Sequence, residues 1–152
     1  MLAKFDEAVA ALPPRSELRD QSDVIAHDLD RATIAATSGD VDQAIWIVQQ
    51  LVTEFEASVR SWLALRRWLV HAGRHGEADV MMGEFIRRFP RNDFAVSRFI
   101  AYLYERNHLL AAKGFLLREE VSGGNQSGLR LTATRAAWRL GDVAWLENLA
   151  GQ

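Results

Sequence analysis

The chain contains no cysteine, which removes a disulfide framework, a thiolate nucleophile and a thiolate metal site from consideration. Proline is scarce, with three residues in all, and both Pro13-Pro14 and Pro90 read as breaks at the ends of helices. Lysine is nearly absent, because sixteen of the eighteen basic residues are Arg. No apolar run approaches about 18 residues, so no membrane-spanning helix is expected. The stretch from Met1 to Leu12 carries Asp6 and Glu7 inside its only apolar segment and so lacks a continuous signal-peptide core. A cytoplasmic location follows as the expectation.

What remains is ordinary globular material. The 152 residues are 49% hydrophobic and 25% charged, enough for a single domain, 1–152, with a substantial core. The net charge of -2 conceals a polarity along the chain: residues 1–56 hold four basic and eleven acidic side chains, whereas residues 57–152 hold fourteen basic and nine acidic. Such a difference can steer a charged partner or a second copy of the chain, so a homo-oligomer is one possible assembly. Neither half is basic enough to imply nucleic acid.

The strongest signal is a repeat. Ser38-Gly39-Asp40, Ala72-Gly73-Arg74, Arg106-Asn107-His108 and Leu140-Gly141-Asp142 have their central residues 34 apart throughout. Five residues beyond the first three centres stand Ala44, Ala78 and Ala112, while the fourth has Leu146. Gly and Asn are the residues that most readily take the left-handed conformation closing a helix, and Asp40 and Asp142 can accept hydrogen bonds from the free amides of the next helix. Asp40 with Gln43 also has the form of a capping box. The pattern is helix, turn, helix. It predicts helices over about Ser58–Ala72 and His75–Phe89, and a buried stripe of Ala44, Ile47, Val48, Leu51 and Phe55.

Trp62, Leu65, Leu69, Gly73, Ala78 and Pro90 follow the order and spacing of the tetratricopeptide signature, and the chain resembles a divergent member of that family. It departs from the pattern at Arg66, Leu69 and Met82, where the family prefers a small residue, Tyr and an aromatic. The resemblance implies an all-α, right-handed α-solenoid of antiparallel helix hairpins, with repeats at 25–57, 58–92 and 93–125. Residues 1–14 resemble the second helix of a hairpin without its first, and 126–152 a partial fourth repeat. Terminal units are expected to be atypical. If further chain follows, Trp145, Leu146 and Leu149 would await a partner surface.

Residues that could carry chemistry are few. His71 and His75 have the i, i+4 spacing of a metal pair, but Gly73 between them places them on different helices. His27 and His108 read as surface or capping residues. No Ser, His and carboxylate set forms a known motif, and Gly123-Gly124 lacks the Lys-Ser/Thr of a phosphate loop. Neither an enzyme nor a cofactor or metal is expected. The five tryptophans, Trp46, Trp62, Trp68, Trp138 and Trp145, should be mostly core, with Trp68 and Trp138 the two that could lean toward a surface.

In the family it resembles, the first helices of successive hairpins line a concave groove that receives a peptide or helix of a partner. That geometry assigns Arg60, Leu63, Arg67, Val70 and His71 to the groove, then Phe94, Ser97, Arg98, Ala101 and Tyr104, then Leu131, Arg135 and Trp138. Arg alternating with apolar groups suits a partner with acidic and hydrophobic anchors, because guanidinium pairs bidentately with carboxylate. Leu63 and Arg67 do not match the subgroup that grips a chaperone's terminal carboxylate. The expected function is a protein-interaction module, an adaptor or chaperone-like scaffold. The alternatives are a docking or regulatory domain of a larger enzyme and a self-associating module.

Overall fold

The computed structural model describes residues 2–122 and 126–151, so Gly123, Gly124 and Asn125, including the Gly pair weighed as a phosphate loop, lie outside the described residues. Among the described residues there are nine α-helices, one 3-10 turn and no strand. The helices are α1 (Leu2–Ala10), α2 (Gln21–Thr37), α3 (Val41–Glu54), α4 (Val59–His71), α5 (His75–Arg88), α6 (Asp93–Glu105), α7 (Leu109–Ser122), α8 (Gln126–Leu140) and α9 (Val143–Ala150). None of them is long and apolar enough to cross a membrane.

Four connections share one hydrogen-bonded form. Gly39, Gly73, Asn107 and Gly141 have φ of 94°, 72°, 61° and 66°, and they are the residues with positive φ among those described. At each, the left-handed residue donates its N–H to the carbonyl three positions back, and the next residue donates to the carbonyl five back: Gly39 to Ala36 and Asp40 to Ala35, Gly73 to Val70 and Arg74 to Leu69, Asn107 to Tyr104 and His108 to Leu103, Gly141 to Trp138 and Asp142 to Ala137. These paired bonds satisfy the last carbonyls of one helix in a Schellman arrangement. The chain then restarts at once. Asp40 accepts from the Gln43 amide at 2.9 Å and Asp142 from the Trp145 amide at 3.1 Å, so each ends one helix and caps the next. The 34-residue period of the sequence is thus a period of backbone conformation.

Three further helices, α2, α4 and α6, start with the same device. Asp20, Ser58 and Asn92 accept from the amides of Asp23, Ser61 and Ala95. The Asp20 cap places the start of α2 at Gln21, four residues before the first repeat was expected to begin.

The residues form two compact units, Met1–Phe85 and Ile86–Gln152. In the first, α1 packs on α2, α2 on α3 and α3 on α4, and α2 also touches α4. Ala44, Ile47, Val48 and Leu51 are all at most 2% exposed, as their spacing predicted, and Ile45 joins them. Phe55 ends the stripe half-buried, its N–H bonded to the Leu51 carbonyl. Burying each large aliphatic side chain of this kind stabilises the fold by about 1.5–3 kcal/mol. Trp62 is buried with its ring centroid 6.3 Å from that of Phe85, and its indole N–H donates to the Glu56 carbonyl. Ala78 is fully buried, as a helix crossing close to another requires.

A polar clasp holds the segment before α2. Asp28 is buried, and its carboxylate meets His27 at 2.9 Å, Arg31 at 3.3 Å and Arg15 at 3.4 Å. Arg15 sits in the 3-10 turn Arg15–Glu17 and also donates to Glu54 at the end of α3, at 2.6 Å. The Glu54 hydrogen bond raises the Arg15 pKa above its ordinary value, against a smaller opposing effect of burial. His27 is therefore a buried partner of Asp28, which corrects its reading as a surface or capping residue.

In the second unit α6 packs on α7, α7 on α8 and α8 on α9, and α6 also touches α8. Ile86, Val96, Ile100, Leu116, Ala133, Ala136, Ala137, Trp145 and Leu149 form its core. Trp145 and Leu149 are 5% and 4% exposed, so they are covered by this unit itself and do not await a partner.

Candidate partner-binding faces

None of the nine residues assigned to a binding surface is buried. Arg60, Arg67, His71, Phe94, Arg98, Arg135 and Trp138 are exposed, and Leu63 and Tyr104 are half-buried. This follows from helix geometry, since the buried positions of α4 (Ser61, Trp62, Leu65, Trp68, Leu69) occupy one arc and leave residues 60, 63, 67, 70 and 71 opposite.

On α4 the candidate face borders Trp68, which is buried at 6% exposure. The expectation that it leans toward a surface is overturned, because its position falls inside the buried arc. It serves instead as a platform: the Arg67 guanidinium lies 4.4 Å over its ring and His71 meets it edge-on at 5.9 Å. Cation–π contact of this kind holds Arg67 in place at about 0.5–1 kcal/mol for an exposed pair. His71 is the last residue of α4 and His75 the first of α5, so the two are on different helices as their spacing around Gly73 implied. Among the described residues no three His, Asp or Glu side chains come together as a metal site.

The second unit brings two stripes onto neighbouring helices. On α6, Phe94 is 54% exposed with the Arg98 guanidinium 5.1 Å over its ring. On α8, Leu131 and Trp138 are 58% and 77% exposed, with Arg135 exposed between them. These three are spaced i, i+4, i+7 and project from one side of α8, away from Ala133, Ala136 and Ala137 in the core. Trp138 is the most exposed large apolar side chain described. Leaving that much indole in water forgoes burial energy, which singles it out among the aromatics.

Arg139 joins the two helices. Its guanidinium lies 4.8 Å over the Tyr104 ring and donates to Asn107 Oδ1 at 3.0 Å. The residue was not among the candidates, although its place one turn beyond Arg135 would have brought it to notice. It fixes the end of α8 against the end of α6 and orients the Tyr104 ring.

Trp46 was also missed. It is 53% exposed on α3, lying opposite the buried axis of Ala44, Val48 and Leu51, with Asp42 one turn before it. The Asp42 side chain is 89% exposed and only 3.5 Å from Arg74, which itself pairs bidentately with Glu77 at 2.6 Å. That forked hydrogen bond lowers the Glu77 pKa and raises that of Arg74. No family model matches the chain, and no curated protein matches it.

Proposed function

We propose that this chain is a tetratricopeptide-like right-handed α-solenoid that works as a protein-interaction module, an adaptor or chaperone-like scaffold of the cytoplasm. Two findings support the class: left-handed turn residues recurring every 34 positions, and contact of each first helix with the next within a unit, α2 with α4 and α6 with α8. The single observation that carries the function is a row on each of two packed helices, Phe94 and Arg98 on α6 and Leu131, Arg135 and Trp138 on α8, five exposed side chains in which cations alternate with large apolar groups. A soluble surface seldom collects such groups without a partner for them.

The ligand such a row suits is an acidic amphipathic segment of another protein. Carboxylates would pair with Arg98 and Arg135, whose planar forks bind them bidentately, while apolar anchors cover Leu131 and Trp138. Arg60, Arg67 and His71 on α4 offer the same chemistry in the first unit. The test is titration of the chain with a synthetic acidic amphipathic helix and with its charge-reversed, basic counterpart. The acidic peptide should bind, and Arg98→Glu with Arg135→Glu should abolish binding while leaving the circular dichroism unchanged. Equal binding of both peptides, or binding that survives the two reversals, refutes the assignment.

A further inference from the structure

We infer that the α8 face has an occupant within the protein's own population: the α3 face of a second copy of this chain. This rests on reading the exposed side of α8 as a binding surface and adds what covers it.

Three observations point there. The two units have opposite charge. The unit Met1–Phe85 has eight basic and fourteen acidic side chains, and the unit Ile86–Gln152 has ten basic and six acidic. Each unit also carries one exposed tryptophan on a helix: Trp46 at 53% on the acidic unit and Trp138 at 77% on the basic one, while Trp62, Trp68 and Trp145 are all below 9%. Finally, each exposed indole has a charge of its own unit's sign about one turn away. Asp42 precedes Trp46 by four residues with its carboxylate 89% exposed, and Arg135 precedes Trp138 by three.

The two helix faces are therefore complementary in kind. Asp42 followed by Trp46 on α3 meets Leu131, Arg135 and Trp138 on α8, with carboxylate toward guanidinium and indole toward Leu131 and indole. An α3–α8 contact would withdraw both exposed tryptophans from water, and the opposed fields of the two units would speed encounter and set the pairing. Because the two surfaces differ, the contact is heterologous: each joined pair keeps one free α3 face and one free α8 face, so association continues beyond a dimer unless a ring closes.

Sedimentation velocity over a range of protein concentration tests this. At low ionic strength the weight-average mass should rise with concentration past that of a dimer. At about 1 M salt, where the Debye length falls to about 3 Å, the association should weaken by about tenfold or more. Asp42→Arg and Arg135→Asp should each reduce association by a similar factor, because like charges then meet at positions 42 and 135, and an equimolar mixture of the two single variants should recover it, because opposite charges meet at both contacts between unlike copies: Arg135 of the first with Asp42 of the second, and the two substituted positions with each other. The double variant Asp42→Arg/Arg135→Asp should recover association, an outcome that misfolding cannot produce. A chain that stays monomeric at every concentration in low salt overturns the inference, as does a double variant no better than the singles. The acidic-peptide titration separates this from the broader reading: Asp42→Arg should leave peptide binding intact. A monomer that still binds the peptide refutes self-docking alone, whereas loss of both refutes the α8 surface itself.

Discussion

The Lys113 ammonium pairs with the Asp142 carboxylate, the same carboxylate that caps α9 by accepting the Trp145 amide. One side chain on α7 thus reaches the turn between α8 and α9, and its ammonium also lies 5.2 Å over the Trp145 ring. The short last helix is held by its neighbour at the point where its own amides are unsatisfied.

This arrangement has a defined pH dependence. The Lys113 hydrogen bond, then the Trp145 amide, lower the Asp142 pKa below the ordinary carboxylate value. A depressed folded-state value means the contribution is present above the unfolded carboxylate pKa of about 3.9 and is lost as pH falls through the folded value. Side-chain NMR titration should place the Asp142 midpoint below the values ordinary for aspartates. Lys113→Met should move it upward toward them. An unchanged midpoint in that variant would show that the amide alone sets it.

The turns make a second prediction. Gly73 has φ of 72°, and a Cβ added there would meet no atom within 4 Å. Gly73→Ala should therefore destabilise through backbone strain alone, by about 1–2 kcal/mol. Gly73→Asn should lose less, because Asn tolerates this conformation, as Asn107 does at φ 61° in the equivalent turn. Urea unfolding of the pair measures the difference. Equal losses would mean that the side chain, not the backbone, is the cause.

Much of this fold was legible because it rests on local chemistry. The four turn centres, the caps at Asp40 and Asp142, and the buried Ala44, Ala78 and Ala112 each follow from residue types at a fixed spacing. Trp46 and Trp68 were also readable in principle. At about 100° per residue, position 46 falls opposite the arc of Ala44, Val48 and Leu51, and position 68 falls inside the arc of Ser61, Trp62, Leu65 and Leu69. A count of tryptophans without the wheel places them the wrong way round. His27 was not readable at all, since its burial beside Asp28 goes with that carboxylate being matched by Arg15, thirteen positions earlier in the 3-10 turn, and that turn is tied to α3 through Glu54. The Arg139 contact with Tyr104 is of the same kind, made across 35 positions of sequence by two helices that touch only once folded.

The clasp itself is open to test. Asp28 is 6% exposed and serves three cationic or imidazole partners, of which Arg15 is 43% exposed and Arg31 29%. Removing the carboxylate leaves those arginines able to reach water, so Asp28→Ala should cost about 1–3 kcal/mol, below the loss for a wholly buried pair. The same substitution should raise hydrogen exchange at the start of α2 and in the 3-10 turn that Arg15 anchors. Loss of protection spread evenly over α2 to α4 would show that Asp28 supports the unit as a whole and not the segment before it.

Trp138 provides the most direct reading of the candidate face. Its indole is 77% exposed and Trp46 is 53% exposed, while the other three tryptophans are buried. Acrylamide quenching should resolve an accessible and a protected population, and Trp138→Phe should remove the larger part of the accessible one. Because the side chain lies outside the core, that variant should retain stability to within about 0.5 kcal/mol. An acidic amphipathic peptide bound to α6 and α8 should then shield the accessible population of the parent chain and not that of Trp138→Phe, where only Trp46 remains in water. Shielding of equal size in both would place the peptide elsewhere. Shielding confined to the parent would assign the bound anchor to Trp138, one turn along α8 from the exposed guanidinium of Arg135.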